Sequence, residues 1–433
     1  MLYNDNLERY VVIPVFCYFA LNDIDGARQL SFGQTGNIPS GKSLAAVSSV
    51  TIFEVFDMMK LLQNVFTLEG LSQLYPLFWM FAAGLLLDRM PKKQVLVCGK
   101  TQQRWERFSA VVLVLPLIFW AGLRGYIGDS YAYQKHFAIA PASFSELLPS
   151  LNDETKDPGF LVLMTLAKML GVSDYRVFFL LIATFQMLCM VFTFRRYSPN
   201  YWISMFLFVV STDYLSWMFN GMRQFIATTM IFGAFDLMVR RKHIAFTLVV
   251  LLAAQIHGSA ILMLPLAVLM QGPAMNKKTM LMIAGAAAIL PFIDRFMPFF
   301  NELLADTQYS TTMTDEIWSV DDGTHPIRVL VYSVPALLAL VGRRYVRMEN
   351  NPAMNLCVNA SLITMAIYLV SMVTSGIYVG RLPIYTTLHG YIALPWLIDT
   401  MFDEDSARLM KFLMVGGFLA FFYYQMHFTW GYF

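Results

Sequence analysis

The stretch Arg240–Pro265, RRKHIAFTLVVLLAAQIHGSAILMLP, decides the fold. Three basic residues open it, and the apolar run that follows carries no Asp, Glu, Lys or Arg. A helix of this kind satisfies its own backbone in lipid, and the basic cluster marks one face of the membrane. His257 closes the first half of the run and Gly258-Ser259 follow at once, so the histidine falls at the opposite face.

The same pattern recurs along the chain. Of 433 residues, 57% are hydrophobic and 14% charged, and the mean hydropathy is +0.55. Soluble domains carry about 25% charged residues. The composition therefore predicts an all-α polytopic membrane protein, since a transmembrane barrel would alternate over segments of about 10 residues. Spans are expected near 71–87, 108–123, 175–193, 201–218, 222–239, 243–257, 259–270, 279–297, 327–341, 356–375, 382–400 and 409–425. Val11–Leu21 reads as a short span without a convincing signal-peptide cleavage site, which gives about 12–13 transmembrane helices in all.

Basic residues sort the loops. Six lie from Arg89 to Arg107, then come Arg195-Arg196, Arg240–Lys242, Lys277-Lys278, Arg343-Arg344 with Arg347, and Arg408 with Lys411. These hold 18 of the 31 Lys and Arg, so the positive-inside rule makes them cytoplasmic. The intervening loops are then external. Residues 124–157 carry three basic and five acidic groups, and residues 298–326 carry six acidic groups with no Lys or Arg. For the alternation to hold, Pro158–Gly171 is a re-entrant or interfacial external segment. Residues 1–70 read as an extension, with an interfacial amphipathic helix over 43–66, and residues 71–433 as one membrane domain.

Two motifs are set aside. Gly36–Ser43, GNIPSGKS, fits GxxxxGK[ST], but no apolar strand leads into it, so a turn before a helix is the better reading. Cys17, Cys98, Cys189 and Cys357 are far apart and read as small core residues rather than a disulfide or metal set. A net charge of +2 gives no sign of a nucleic-acid partner.

The conspicuous polar residues converge on the external side. LRGYIGDSYAY, from Leu123 to Tyr133, places Arg124 directly after a span, then Asp129, Tyr131 and Tyr133. Arg124 reads either as an interfacial anchor or as a ligand, and Asp129 either caps a turn or joins a site. Arg223 and Gln224 open a helix on the side where positive charge is disfavoured, so Arg223 calls for an anionic partner. His257 lies at the same level, as does Arg381 in YVGRLPIY. Guanidinium forks bind phosphate oxygens bidentately, so three arginines together suit a pyrophosphate. Asp213 lies near the external end of its span and could reach this site, Asp236 is placed to pair with Arg240, and Asp294-Arg295 mark a span edge.

The order LRGYIGDSYAY, DPGFLVLM, MRQFIA, VRRKHIAF, LLAAQIHGSAILMLP, GRLPIY resembles the EpsG-like family of Wzy-type bacterial polysaccharide polymerases. The likeness runs from about Leu71 to Ile398, and the Arg-Gln-x-x-Ala run followed by His-x-Ser is its most specific part. The family loop commonly reads Gly-Thr-Asp, whereas here Gly128 abuts Asp129. The resemblance implies a GT-C-like architecture. It also implies an enzyme that joins oligosaccharide repeat units linked to a lipid pyrophosphate, outside the bacterial cytoplasmic membrane. The expected reaction is an inverting, metal-independent glycosyl transfer from undecaprenyl pyrophosphate, with no cofactor. His257, Asp129 and Arg223 are the expected catalytic residues. Arg124, Arg381, Tyr131, Tyr133 and Gln224 are expected to bind substrate, and Trp318 to stack on sugars. A chain-length regulator protein is the implied partner. An O-antigen ligase shares the donor and differs in acceptor. A flippase would line the bundle with cations through the membrane depth, whereas these arginines gather at one level.

Overall fold

A computed structural model of the chain describes residues 74–152, 155–290, 323–376 and 378–431. The expected features of residues 1–70, together with Asp294-Arg295 and Trp318, lie outside the described residues.

Tyr75–Leu87 forms α1. The basic stretch expected as a plain loop instead contains an antiparallel hairpin, β1 (Lys92–Val97) and β2 (Lys100–Trp105), paired from Lys92↔Trp105 to Val97↔Lys100. Cys98 and Gly99 turn it, with φ of 48° and 80°, the positive pair that a two-residue hairpin requires. The described residues are thus mostly helical with one small sheet. Its helices continue as α2 (Arg107–Leu123), α3 (Ser130–Ile139), α4 (Phe144–Ser150), α5 (Pro158–Met169), α6 (Tyr175–Tyr197) and α7 (Tyr201–Val210). After a π-helical turn over Tyr214–Asn220 come α8 (Met222–Gly233), α9 (Phe235–Val239) and α10 (His243–Ile256). A 3-10 turn, Gly258–Leu262, leads into α11 (Met263–Met270) and then α12 (Lys277–Ile289). The C-terminal group is α13 (Pro326–Val341), α14 (Arg343–Glu349), α15 (Pro352–Ser371), α16 (Ile384–Met401) and α17 (Glu404–Tyr424).

Caps fix the long elements. Asp174 accepts from the Arg176 amide at the start of α6, and Arg195 and Arg196 complete its last turn, where the helix dipole favours cations. Asn351 accepts from two amides at the start of α15, and Asp403 accepts from Ser406 at the start of α17. Helix α15 is the central element: 83% of its apolar window is buried, against 28% for α17. Exposed apolar side chains such as Phe78, Ile244, Leu248 and Phe412 cover the outer faces. An apolar perimeter of this extent suits lipid rather than water. Gly122 lets α2 approach α6 closely, since a Cβ there would stand 2.7 Å from the Leu180 Cα.

The spans are more broken than expected. Among the described residues three helices, α6, α15 and α17, are long and apolar enough to cross a membrane, or five if two bent pairs each count as one. The expected span 201–218 bends by 70° between Val210 and Tyr214, where Thr212 adopts φ 57°. The expected span 222–239 is interrupted at Ala234. Several others stop at 10–17 residues because polar sequences such as His257-Gly258-Ser259 end them. Within Pro158–Gly171 the helix is short, 12 residues from Pro158 to Met169.

The basic clusters meet at one end of the bundle. Arg104 of β2 donates to the Arg196 carbonyl, and Arg195 donates to the Trp105 carbonyl. Asp236 receives Arg196, Arg240 and the Tyr197 hydroxyl, which bears out its expected pairing with Arg240. Lys100 pairs with Glu349 and Lys411 with Asp399. Helix α2 leaves this end at Arg107 and finishes before Arg124; α10 leaves it after Lys242 and finishes before His257. Those far ends hold the candidate site.

Candidate functional site

Asp157 is the junction of the site. It caps α5 in the left-handed region, at φ 56° and ψ 59°, a conformation that Asp tolerates better than most residues. One carboxylate oxygen accepts from the Gly258 amide at 3.2 Å, and the other lies 2.7 Å from a terminal nitrogen of Arg223. Asp157 is buried, while Arg223 is a quarter exposed. It therefore ties the first turn of α8 to the turn that ends α10. Arg223 also lies beside the Phe160 ring, 6.0 Å from its centroid.

Gln224, one residue on, reaches the other two expected motifs. Its amide nitrogen donates to the Ser259 hydroxyl at 3.4 Å and to the Arg381 carbonyl at 3.5 Å. Ser259 in turn contacts His257 Nδ1 at 2.8 Å and the Tyr385 hydroxyl of α16 at 2.8 Å. His257 is half-buried, and Asp157, Arg223, Lys156 and Arg381 are all near enough to act on its charge. The Arg381 side chain is exposed and engages no carboxylate among the described residues.

The loop after α2 sits alongside. Gly128 has φ +56°, and a Cβ there would collide with the Asn220 side chain at 1.6 Å. The Asp129 amide donates to the same Asn220 side chain, and the Tyr133 hydroxyl donates to the Asn220 carbonyl. Asn220 directly precedes the Gly221–Gln224 turn, so this loop adjoins Arg223. Asp129 is exposed, whereas Tyr133 is buried. Burial raises the Tyr133 phenol above its ordinary range, with Arg223 pulling the other way. Tyr131 is half exposed, 6.1 Å from the more exposed Tyr126, with Lys135 over its ring.

Arg124 takes a different place. Its guanidinium is buried between the Phe179 and Phe219 rings, at 4.3 and 4.9 Å, and donates to Ser130, the Ala121 carbonyl and the Met222 sulfur. It meets no carboxylate among the described residues, and it fastens the loop to α2, α6 and the start of α8. Asp213 does not join the site. It is buried between Tyr332 of α13 and Tyr391 of α16 and accepts from both hydroxyls. A small cavity lies beside that pair, lined also by Ser361, Thr364 and Thr387.

Among the described residues no group of three or more His, Cys, Asp or Glu is placed to hold a metal ion. The spacing of motifs located Arg223, Gln224, His257 and Arg381, and the structure brings these four together. Asp157, Asn220 and Tyr385 carry no role in the sequence reading, and Ser259 enters it only as part of the His-x-Ser motif. Asp157-Pro158-Gly159 carries only the signal of a helix start, and Tyr385 only that of an interfacial aromatic.

A family model described as the EpsG family matches residues 107–431. No curated protein and no solved structure matches the chain.

Proposed function

The chain belongs to the EpsG family, a group related to the Wzy-like polymerases, and from that premise we propose that it is a polysaccharide polymerase acting on lipid-linked glycans. The donor is a growing glycan on undecaprenyl pyrophosphate, and the acceptor is one repeat unit on the same carrier. The reaction runs at the outer face of a bacterial cytoplasmic membrane, with the Asp236 end of the bundle inside. The architecture is GT-C-like, with short and broken helices completing about 12–13 spans, twelve of them in one domain from residue 71. The observation that carries this reading is the Asp157 carboxylate, which joins Arg223 to the backbone beside His257 while Gln224 joins both to Arg381.

Transfer is a single displacement with inversion. An acceptor sugar hydroxyl attacks the anomeric carbon, the bond from that carbon to pyrophosphate breaks, and the carrier leaves with the electron pair. Arg381 and the free edge of Arg223 neutralise the developing charge in a partly desolvated site. They supply the positive charge that a metal ion supplies elsewhere, so the proposed transfer is metal-independent. The His257 ring takes the hydroxyl proton. Asp129, exposed at the rim, and Tyr131 contact the sugars. Arg124 supports this site by fixing the loop that carries Asp129.

The test uses purified protein in nanodiscs with a lipid-pyrophosphate-linked repeat unit, with and without EDTA. Wild type is run beside Arg223→Ala and His257→Ala, and products are separated on a gel. A ladder is expected from wild type in EDTA, with losses of about 10²-fold or more in each variant. Substrate moved between leaflets with no ladder would replace this reading by the flippase. A ladder that both variants retain would remove these residues from the site.

A further inference from the structure

The Ser259 hydroxyl has one hydrogen to give and two lone pairs to fill. Three groups surround it: the Gln224 amide, His257 Nδ1 and the Tyr385 hydroxyl. The Arg381 carbonyl, which can only accept, fixes the orientation of the Gln224 amide, so its nitrogen faces both acceptors. Gln224 thereby occupies one lone pair of Ser259. One lone pair and one hydrogen remain for His257 and Tyr385. Ser259, Gln224 and Tyr385 are all buried, so these remaining sites are filled within the protein.

Two arrangements satisfy this count. In the first, Ser259 donates to Nδ1 and accepts from Tyr385; the ring hydrogen then sits on Nε2, which has no lone pair to offer. In the second, Nδ1–H donates to Ser259 and Ser259 donates to the Tyr385 oxygen; Nε2 then presents a lone pair. An imidazolium carries hydrogen on both nitrogens, so it is compatible with the second arrangement alone. A ring that is to gain a proton on Nε2 meets no reorganisation if the second arrangement is already in place.

We propose that Ser259 and Tyr385 are positioning residues that hold His257 as the tautomer with hydrogen on Nδ1, leaving Nε2 as its free lone pair. The choice between the two arrangements rests on the proposed polymerase reaction, in which Nε2 takes the proton of the acceptor hydroxyl; the hydrogen-bond count that limits the ring to these two does not.

The experiment is nuclear magnetic resonance on the full chain in nanodiscs, with histidine labelled in ¹³C and ¹⁵N. The chain has six histidines, and His257→Gln assigns the relevant signals by difference. Ring carbon and nitrogen shifts at neutral pH separate the two tautomers. Wild type is expected with hydrogen on Nδ1. In Tyr385→Phe the Ser259 hydrogen has only Nδ1 to go to, so the ring turns to the Nε2–H form. In the polymerisation assay kcat then falls on the order of 10²-fold with KM unchanged. Ser259→Thr keeps the hydroxyl and is expected to keep the wild-type ring signals even where its thermal midpoint drops, while Ser259→Ala loses them. Wild-type ring signals in Tyr385→Phe, or an Nε2–H ring in wild type, would overturn the inference. A change of tautomer with kcat intact would uphold the relay and remove His257 as the base, which separates the two readings.

Discussion

The two ends of the bundle spend their charges differently. At the Asp236 end nearly every cation close to a carboxylate is paired with it: Arg196 and Arg240 on Asp236, Lys100 on Glu349, Lys411 on Asp399. At the His257 end one carboxylate, Asp157, serves Arg223, while Arg381 has none among the described residues and Arg124 is wedged between aromatic rings. Carboxylates that tie neighbouring elements together mark the first end, and arginines set about a single described carboxylate mark the second. The first arrangement holds helices together. The second leaves positive potential for an anion to use.

The largest expected effect is at Asp157, the carboxylate that pairs with Arg223. Asp157→Ala removes the partner of Arg223 and the acceptor of the Gly258 amide together. Breaking a buried ion pair costs about 3–5 kcal/mol, and the partial exposure of Arg223 puts the expected loss near about 3 kcal/mol. Turnover should fall at least as far as in Arg223→Ala. Asp157→Asn keeps an oxygen for Gly258 and is expected to recover most of the stability but little of the activity. Equal activities in Asp157→Asn and wild type would reduce Asp157 to a structural clamp.

Asp236→Asn is the matching change at the other end. It leaves two arginines without a carboxylate but keeps an acceptor for the Tyr197 hydroxyl, so a loss of about 1–2 kcal/mol in thermal or denaturant unfolding is expected. Activity per folded molecule should be unchanged. A large loss of turnover with an unchanged melting midpoint would break the contrast, because the paired end would then carry function too.

How far the sequence reached follows from what it encodes. Apolar length and loop charge specify depth in the membrane, so they placed Arg124, Asp129, Arg223, His257 and Arg381 at one level. Nothing in that pattern specifies the direction in which a side chain points around its helix or loop. Arg124 faces Phe179 and Phe219 rather than Arg381. Asp213 lies near that level and faces Tyr332 and Tyr391. The break between Val210 and Tyr214 falls on the polar Ser211-Thr212-Asp213, which composition alone does not distinguish from buried polar residues inside a continuous span; Thr212 reverses its φ there. The hairpin had a legible signal in Val95, Val97, Thr101 and the Cys98-Gly99 turn, obscured by its lysines.

Arg124→Lys sharpens the distinction between a buried and an available arginine. Lysine keeps the charge but not the planar group between two rings or the side-on donor to Ser130, so about 1–2 kcal/mol of stability should be lost. Turnover per folded molecule is expected to change less than tenfold. Arg381→Lys should do the reverse, leaving the melting midpoint in place and raising KM, because bidentate phosphate contact is lost. If Arg124→Lys raised KM and Arg381→Lys lowered the midpoint, the assignment of the two arginines would have to be exchanged.

The smallest effect is expected at Lys100 and Glu349. The pair links the hairpin to the end of α14 at 3.1 Å, and both side chains are largely open to solvent. Exposed pairs contribute about 0–1 kcal/mol, and salt screens them over about 10 Å at 0.1 M. Lys100→Ala should therefore lower the midpoint slightly at low ionic strength and leave it unchanged in high salt, with activity intact throughout. A salt-independent loss would mean that the hairpin docks through the Lys100 stem rather than its charge. The paired end would then owe its cohesion to packing, and only the unpaired end would depend on its charges.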